Sequence, residues 1–195
     1  MTRLVVKREA LGVHTRNTSP SYVDGNNEQV LVSSDCGLPT ASTFQANIQQ
    51  GTAYSAGYAH LSGNLLGAGD SLDIVFAFGS GVEPMMTIEG ICGGNAEGYM
   101  YEGATATGGT SLPSVNLNRV STNTSNSAFL LNPTVSATGT LLGAYALIGG
   151  QYTRSAGADM HNAGFVMKPL TNYLLRLTNT SSLSQKAMIT INWYE

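Results

Sequence analysis

The sequence predicts an all-β chain, an antiparallel β-sandwich of jelly-roll-like kind preceded by an N-terminal arm. Three observations predict it. Apolar residues alternate with polar ones over short runs, which is the period of a strand with one face buried. Clusters of Gly, Pro, Asn and Ser separate those runs, as in sandwiches. No segment sustains a helical apolar stripe of twelve or more residues.

The elements follow in order. The segment from residue 1 to about 30 forms the arm and its linker, the latter read from Asn17 to Asn27, where turn residues crowd together. The sandwich is expected over residues 31–195. Gln29–Ser33 and Thr43–Ile48 read as short strands, although Thr40–Gln50 also suits a short helix. Ser71–Phe78 places Leu72, Ile74, Phe76 and Phe78 on one face. Met85–Ile91, Gly98–Glu102, Ala128–Leu131 and Phe165–Lys168 obey the same alternation. Thr140–Ile148 is apolar on both faces and flanked by glycines, so it reads as a buried strand. Asn172–Thr178 groups Tyr173, Leu175 and Leu177 and leaves Arg176 opposite. Ala187–Tyr194 turns Ile189, Ile191 and Trp193 inward.

Composition sets the broad class. Hydrophobic residues make up 42% of the 195, enough for one well-filled core, while charged residues make up only 11%, well below the usual share. The formal net charge of −3 conceals a segregation. Residues 1–16 carry Arg3, Lys7, Arg8 and Arg16 against Glu9, a net of +3. Residues 17–118 contain no Lys or Arg and nine carboxylates, a net of −9. From residue 119 onward the balance returns to +3. An acidic body with a basic end suits assembly with a neighbour. It disfavours nucleic acid, which needs a basic patch with interleaved aromatics. Leu4, Val5 and Val6 form a β-prone run beside Lys7 and Arg8. The arm residues Arg3, Leu4, Val5, Val6, Lys7, Arg8 and Arg16 are therefore the candidate partner-binding segment. The run before Lys7 is too short for a secretory signal core, and no stretch approaches membrane-spanning length. A chain that stays in the cytoplasm where it is made is expected, with no membrane partner.

No catalytic constellation assembles. The Gly-x-Ser-x-Gly elbow is absent, and the glycine-rich pieces lack the Lys-Ser/Thr of a phosphate loop. His14, His60 and His161 lie far apart, and no Cys-x-x-Cys pair exists for zinc. Asp70 and Asp73 are close enough in sequence for a calcium site, but a capped turn is the better reading. Cys36 and Cys92 read as reduced thiols, with a disulfide between them left open. No enzymatic activity, metal or cofactor is expected. Arg119 is the first cation after Arg16. With five donors it is the candidate for a structural clasp on loop carbonyls or on Glu102.

Several segments carry a resemblance. They are Tyr99-Met100-Tyr101-Glu102-Gly103, then Gly108-Gly109-Thr110 and Asn116-Leu117-Asn118-Arg119. Leu170-Thr171-Asn172-Tyr173 runs on through Arg176 to Asn179, and Trp193-Tyr194-Glu195 closes the chain. Together they resemble the small head-decoration, or capsid cement, proteins of tailed bacteriophages. The resemblance covers Tyr99 to Glu195 and none of Met1–Gly98. It implies a structural virion protein on the outer capsid surface, bound to the major capsid protein and associated as a homotrimer. The alternative is a receptor- or glycan-binding tip of a phage fibre, with Tyr54, Tyr58, Tyr99, Tyr101 and Tyr152 as stacking platforms.

Overall fold

The computed structural model describes residues 42–148 and 164–195 in full, and the backbone of 21–23 and 29–31. The chain divides into two compact units, Met1–Ala41 and Ser42–Glu195. In the first unit, β1 (Ser21–Val23) and β2 (Gln29–Leu31) pair antiparallel, with Tyr22 opposite Val30.

The second unit is the predicted antiparallel β-sandwich. It opens with one helix, α1 (Thr43–Gln50), where a strand over Thr43–Ile48 was one of the two expectations. Local capping decides for the helix. The Ser42 hydroxyl accepts from the Gln45 backbone N–H, and the Gln45 side chain accepts from the Ser42 N–H, so two orphan donors are satisfied together. Gly51 ends the helix at φ 75°, a conformation that glycine adopts without strain.

The strands follow as β3 (Ala53–His60), β4 (Ser71–Phe78), β5 (Met85–Cys92) and β6 (Ala96–Glu102). Short pieces come next: β7 (Thr105–Thr107), β8 (Thr110–Leu112) and β9 (Val115–Asn116). Then come β10 (Ser127–Leu131), β11 (Thr134–Ala137) and β12 (Thr140–Leu147). The last are β13 (Phe165–Val166), β14 (Tyr173–Asn179) and β15 (Ala187–Tyr194). One sheet has the order β12-β6-β14-β4-β10-β8, the other β13-β5-β15-β3-β9. Consecutive strands from β3 to β15 lie in different sheets.

The inner faces carry the alternation seen in the sequence. Leu72, Ile74, Phe76 and Phe78 from β4 meet Tyr173, Leu175 and Leu177 from β14 and Ile189, Ile191 and Trp193 from β15, all buried. Rings dominate the centre. Trp193 stacks on Tyr54 with centroids 5.8 Å apart and lies 4.9 Å from Phe129, while Phe76 stacks on both Phe129 and Tyr173. Each such contact adds roughly 0.5–1.5 kcal/mol to the burial of its area. Gly57 lets β3 pass close to β15, because a Cβ there would sit 2.6 Å from the Ile189 carbonyl oxygen.

A smaller apolar cluster lies on the outer face of the six-stranded sheet. Val75 and Leu174 point outward and are buried with Ala104, against Ala106 and Val135 of the paired strands β7 and β11. That two-stranded ribbon therefore covers part of the sheet. The strand expected as buried over Thr140–Ile148 forms, as β12, but it is not buried. It is the sheet's edge strand, with Leu141 52% and Leu142 40% exposed.

Candidate functional site

The arm residues Arg3, Leu4, Val5, Val6, Lys7, Arg8 and Arg16 lie outside the described residues, as do Cys36, Tyr152, His14 and His161. Cys92 is a buried free thiol.

Arg119, the candidate clasp for loop carbonyls or for Glu102, reaches a loop carbonyl, while Glu102 is held by other groups. Arg119 is exposed, and its guanidinium donates to one carbonyl, that of Asn116, at 3.3 Å. The clasp in that loop is made by the neighbouring asparagines. Asn116 Nδ2 donates to the Gly51 carbonyl at 2.9 Å and to the Asn123 carbonyl at 3.1 Å. Asn123 Nδ2 reaches the same Gly51 oxygen at 3.2 Å, and Asn118 Nδ2 reaches the Gln49 carbonyl at 3.0 Å. The last carbonyls of a helix lack intrahelical donors, and three side-chain amides supply them here. They fasten α1 and the loop after β9 to each other.

Glu102 is a clasp with other partners. Its Oε1 takes the Lys168 ammonium at 2.7 Å and its Oε2 accepts from the Tyr173 hydroxyl at 3.2 Å. That hydroxyl in turn accepts from the Lys168 backbone N–H at 3.0 Å. The end of β6 is thereby tied to the turn that leads into β14. The Lys168 bond holds Glu102 below the usual carboxylate range, and Glu102 raises Lys168 in return.

Among the described residues a two-pronged charge pair joins residues far apart in the sequence. Arg176 and Asp73 face each other across β14 and β4. Nε donates to Oδ1 at 2.8 Å and Nη2 to Oδ2 at 2.6 Å, a bidentate fork. Asp73 is 8% exposed, so it is no solvated carboxylate at a turn. Asp70 is exposed and does not share its site. Among the described residues no group of three or more His, Cys, Asp and Glu could hold a metal ion. No helix among them is long and apolar enough to cross a membrane.

The tyrosines separate by position. Tyr54 is core, and burial is the main cause of its raised pKa. Tyr58 is half-buried, edge-on to His60 at 5.2 Å, and accepts from Asn64. Tyr99 and Tyr101 stand side by side on the outer face of β6, centroids 6.1 Å apart, with the Tyr99 hydroxyl donating to Glu97 at 2.6 Å.

Exposed apolar residues occur on and just after β12 and around β13, among other places. Leu141, Leu142 and Ile148 are exposed on the first, Met85, Val166 and Leu170 at the second. Comparison with protein-family models, with curated proteins and with solved structures finds no match to this chain.

Proposed function

We propose that this chain is a structural virion protein that binds the outer surface of a tailed-phage capsid and stabilises the head. Its partners in this reading are the major capsid protein and two further copies of itself, with no nucleic acid, membrane, metal or cofactor and no enzymatic step. It is made in the host cytoplasm and ends on the virion. The motif resemblance over Tyr99–Glu195 supplies the virion context.

The observation that carries an associative role is edge strand β12. It spans eight residues without a charge and presents Leu141 and Leu142 to solvent. Among the described residues one row of its backbone groups has no neighbouring strand. Edges of monomers are usually guarded by lysine, proline, shortness or β-bulges. This one has a single irregularity, between Leu141 and Gly143. Such an edge suits strand addition by a neighbouring polypeptide. Sedimentation with purified empty capsids tests the reading: the protein pellets with capsids at a saturating, regular stoichiometry. Recovery in the supernatant at every concentration contradicts it.

A fibre-tip domain that binds glycans is the second reading, favoured by the paired Tyr99 and Tyr101 rings beside the Arg176 guanidinium. Binding on a glycan array that is lost in Tyr101→Ala would favour it.

A further inference from the structure

The sulfur of methionine is open to two-electron oxidants wherever solvent reaches it. The methionines of the sandwich sort sharply by exposure. Met86 and Met100 are 0% exposed and Met167 is 2% exposed, all within the core. Met188 is half-buried on β15. Met85, at the start of β5, is the one exposed methionine among the described residues, at 39%. Met1 and Met160 lie outside them.

Methionine is unbranched and flexible, so an exposed one ordinarily samples many rotamers. Met85 is instead held on both sides of its sulfur. The Tyr194 hydroxyl donates to Sδ at 2.8 Å. Tyr194 lies directly opposite Met85 in the ladder between β15 and β5, and its ring leans on Phe44 of α1 with centroids 6.4 Å apart. The Met85 methyl lies over Gly164, so close that a Cβ there would sit 2.5 Å from Cε. Just beyond Gly164, β13 pairs with β5, with Val166 opposite Met85. The thioether therefore meets solvent in a fixed orientation. Its sulfur has two lone pairs, and oxygen added to one or the other gives opposite sulfoxide epimers. The Tyr194 hydroxyl occupies one pair and leaves the other as the open one.

We propose that Met85 is an oxidation site, converted by peroxides to one sulfoxide epimer, with Tyr194 as the positioning residue that sets which one. The open lone pair attacks one oxygen of hydrogen peroxide. An S–O bond forms as the O–O bond breaks, and the departing hydroxide takes the proton from the new S–OH group and leaves as water. Sulfur loses two electrons and the peroxide gains them. The product carries a polar oxygen beside exposed Val166, and methionine sulfoxide reductases reverse the change. This inference does not depend on the capsid-binding reading.

The experiment treats the full folded chain with increasing hydrogen peroxide and maps the oxidised peptides by mass spectrometry, with fragment ions separating Met85 from Met86. Reductases A and B, each specific for one epimer, then score the Met85 sulfoxide. Met85 should oxidise ahead of Met86, Met100, Met167 and Met188. One epimer should exceed the other by about fivefold or more, the factor that losing one neutral hydrogen bond sets. Tyr194→Phe should leave Met85 oxidisable but bring the two epimers close to equal, as should unfolding the parent in urea. Oxidation of Met188 or of a core methionine as early as Met85 overturns the site. Equal epimers in the folded parent overturn the role of Tyr194 without recourse to any variant, and so does a Tyr194→Phe protein that unfolds at the parent's temperature and keeps the parent's epimer ratio.

Discussion

Replacing Arg176 with methionine keeps the length of the side-chain stem and removes every donor that holds Asp73. The carboxylate is left 8% exposed with its fork partner gone. Removing one member of a fully buried pair costs about 3–5 kcal/mol. Here the Arg176 side chain is 29% exposed and that of Asp73 is 11% exposed, so water reaches part of the orphaned group. A loss of about 2–3 kcal/mol follows from scaling that range down. For a domain of this size that is a fall in Tm of roughly 5–10 °C. Asp73→Asn should cost less, because the freed guanidinium turns toward solvent. Urea unfolding of the parent, the two single variants and the double variant closes the cycle, with an expected coupling of at least about 1 kcal/mol. A loss below about 0.5 kcal/mol for Arg176→Met, together with additive single changes, would show that the pair contributes nothing to the fold.

Other substitutions rank the loop and strand-end contacts by what they contribute. Asn116→Ala removes the donors to the half-buried Gly51 carbonyl at the helix end and to the exposed Asn123 carbonyl, and should cost about 1 kcal/mol by urea unfolding. Arg119→Ala should stay within about 0.5 kcal/mol of the parent in the same assay, because its one bond is long and exposed. Glu102 has a lowered pKa, so its contribution is full above the ordinary carboxylate range and is lost as pH falls through the lowered value. The Tm gap between parent and Glu102→Gln should be open at neutral pH and close below about pH 4; a gap constant from pH 7 to 3 would contradict the assignment.

Much of the sandwich was legible because its central strands bury one face. In Ser71–Phe78 and Ala187–Tyr194 the alternation is strict enough to give both the strand and its inward residues. β3 carries no such signal: Tyr54 and Ala56 face the core, but Ser55, Gly57 and Ala59 between them are small rather than charged. β12 reads as buried because both its faces are apolar, and only the strand order shows it to be an edge. The site was less legible. Charge drew attention to Arg119, whereas helix-end carbonyls call for neutral donors at short range, which Asn116, Asn118 and Asn123 supply. Arg176 and Asp73 lie 103 residues apart, and only the pairing of β14 with β4 makes them neighbours.

The central claim, attachment to the outside of a phage head, is tested most directly by a cryo-electron microscopy map of the virion. The account predicts density that fits the Ser42–Glu195 sandwich on the outer capsid surface, in contact with the shell at β12. Density for the sandwich at the tip of a fibre, or none anywhere on the particle, would contradict it.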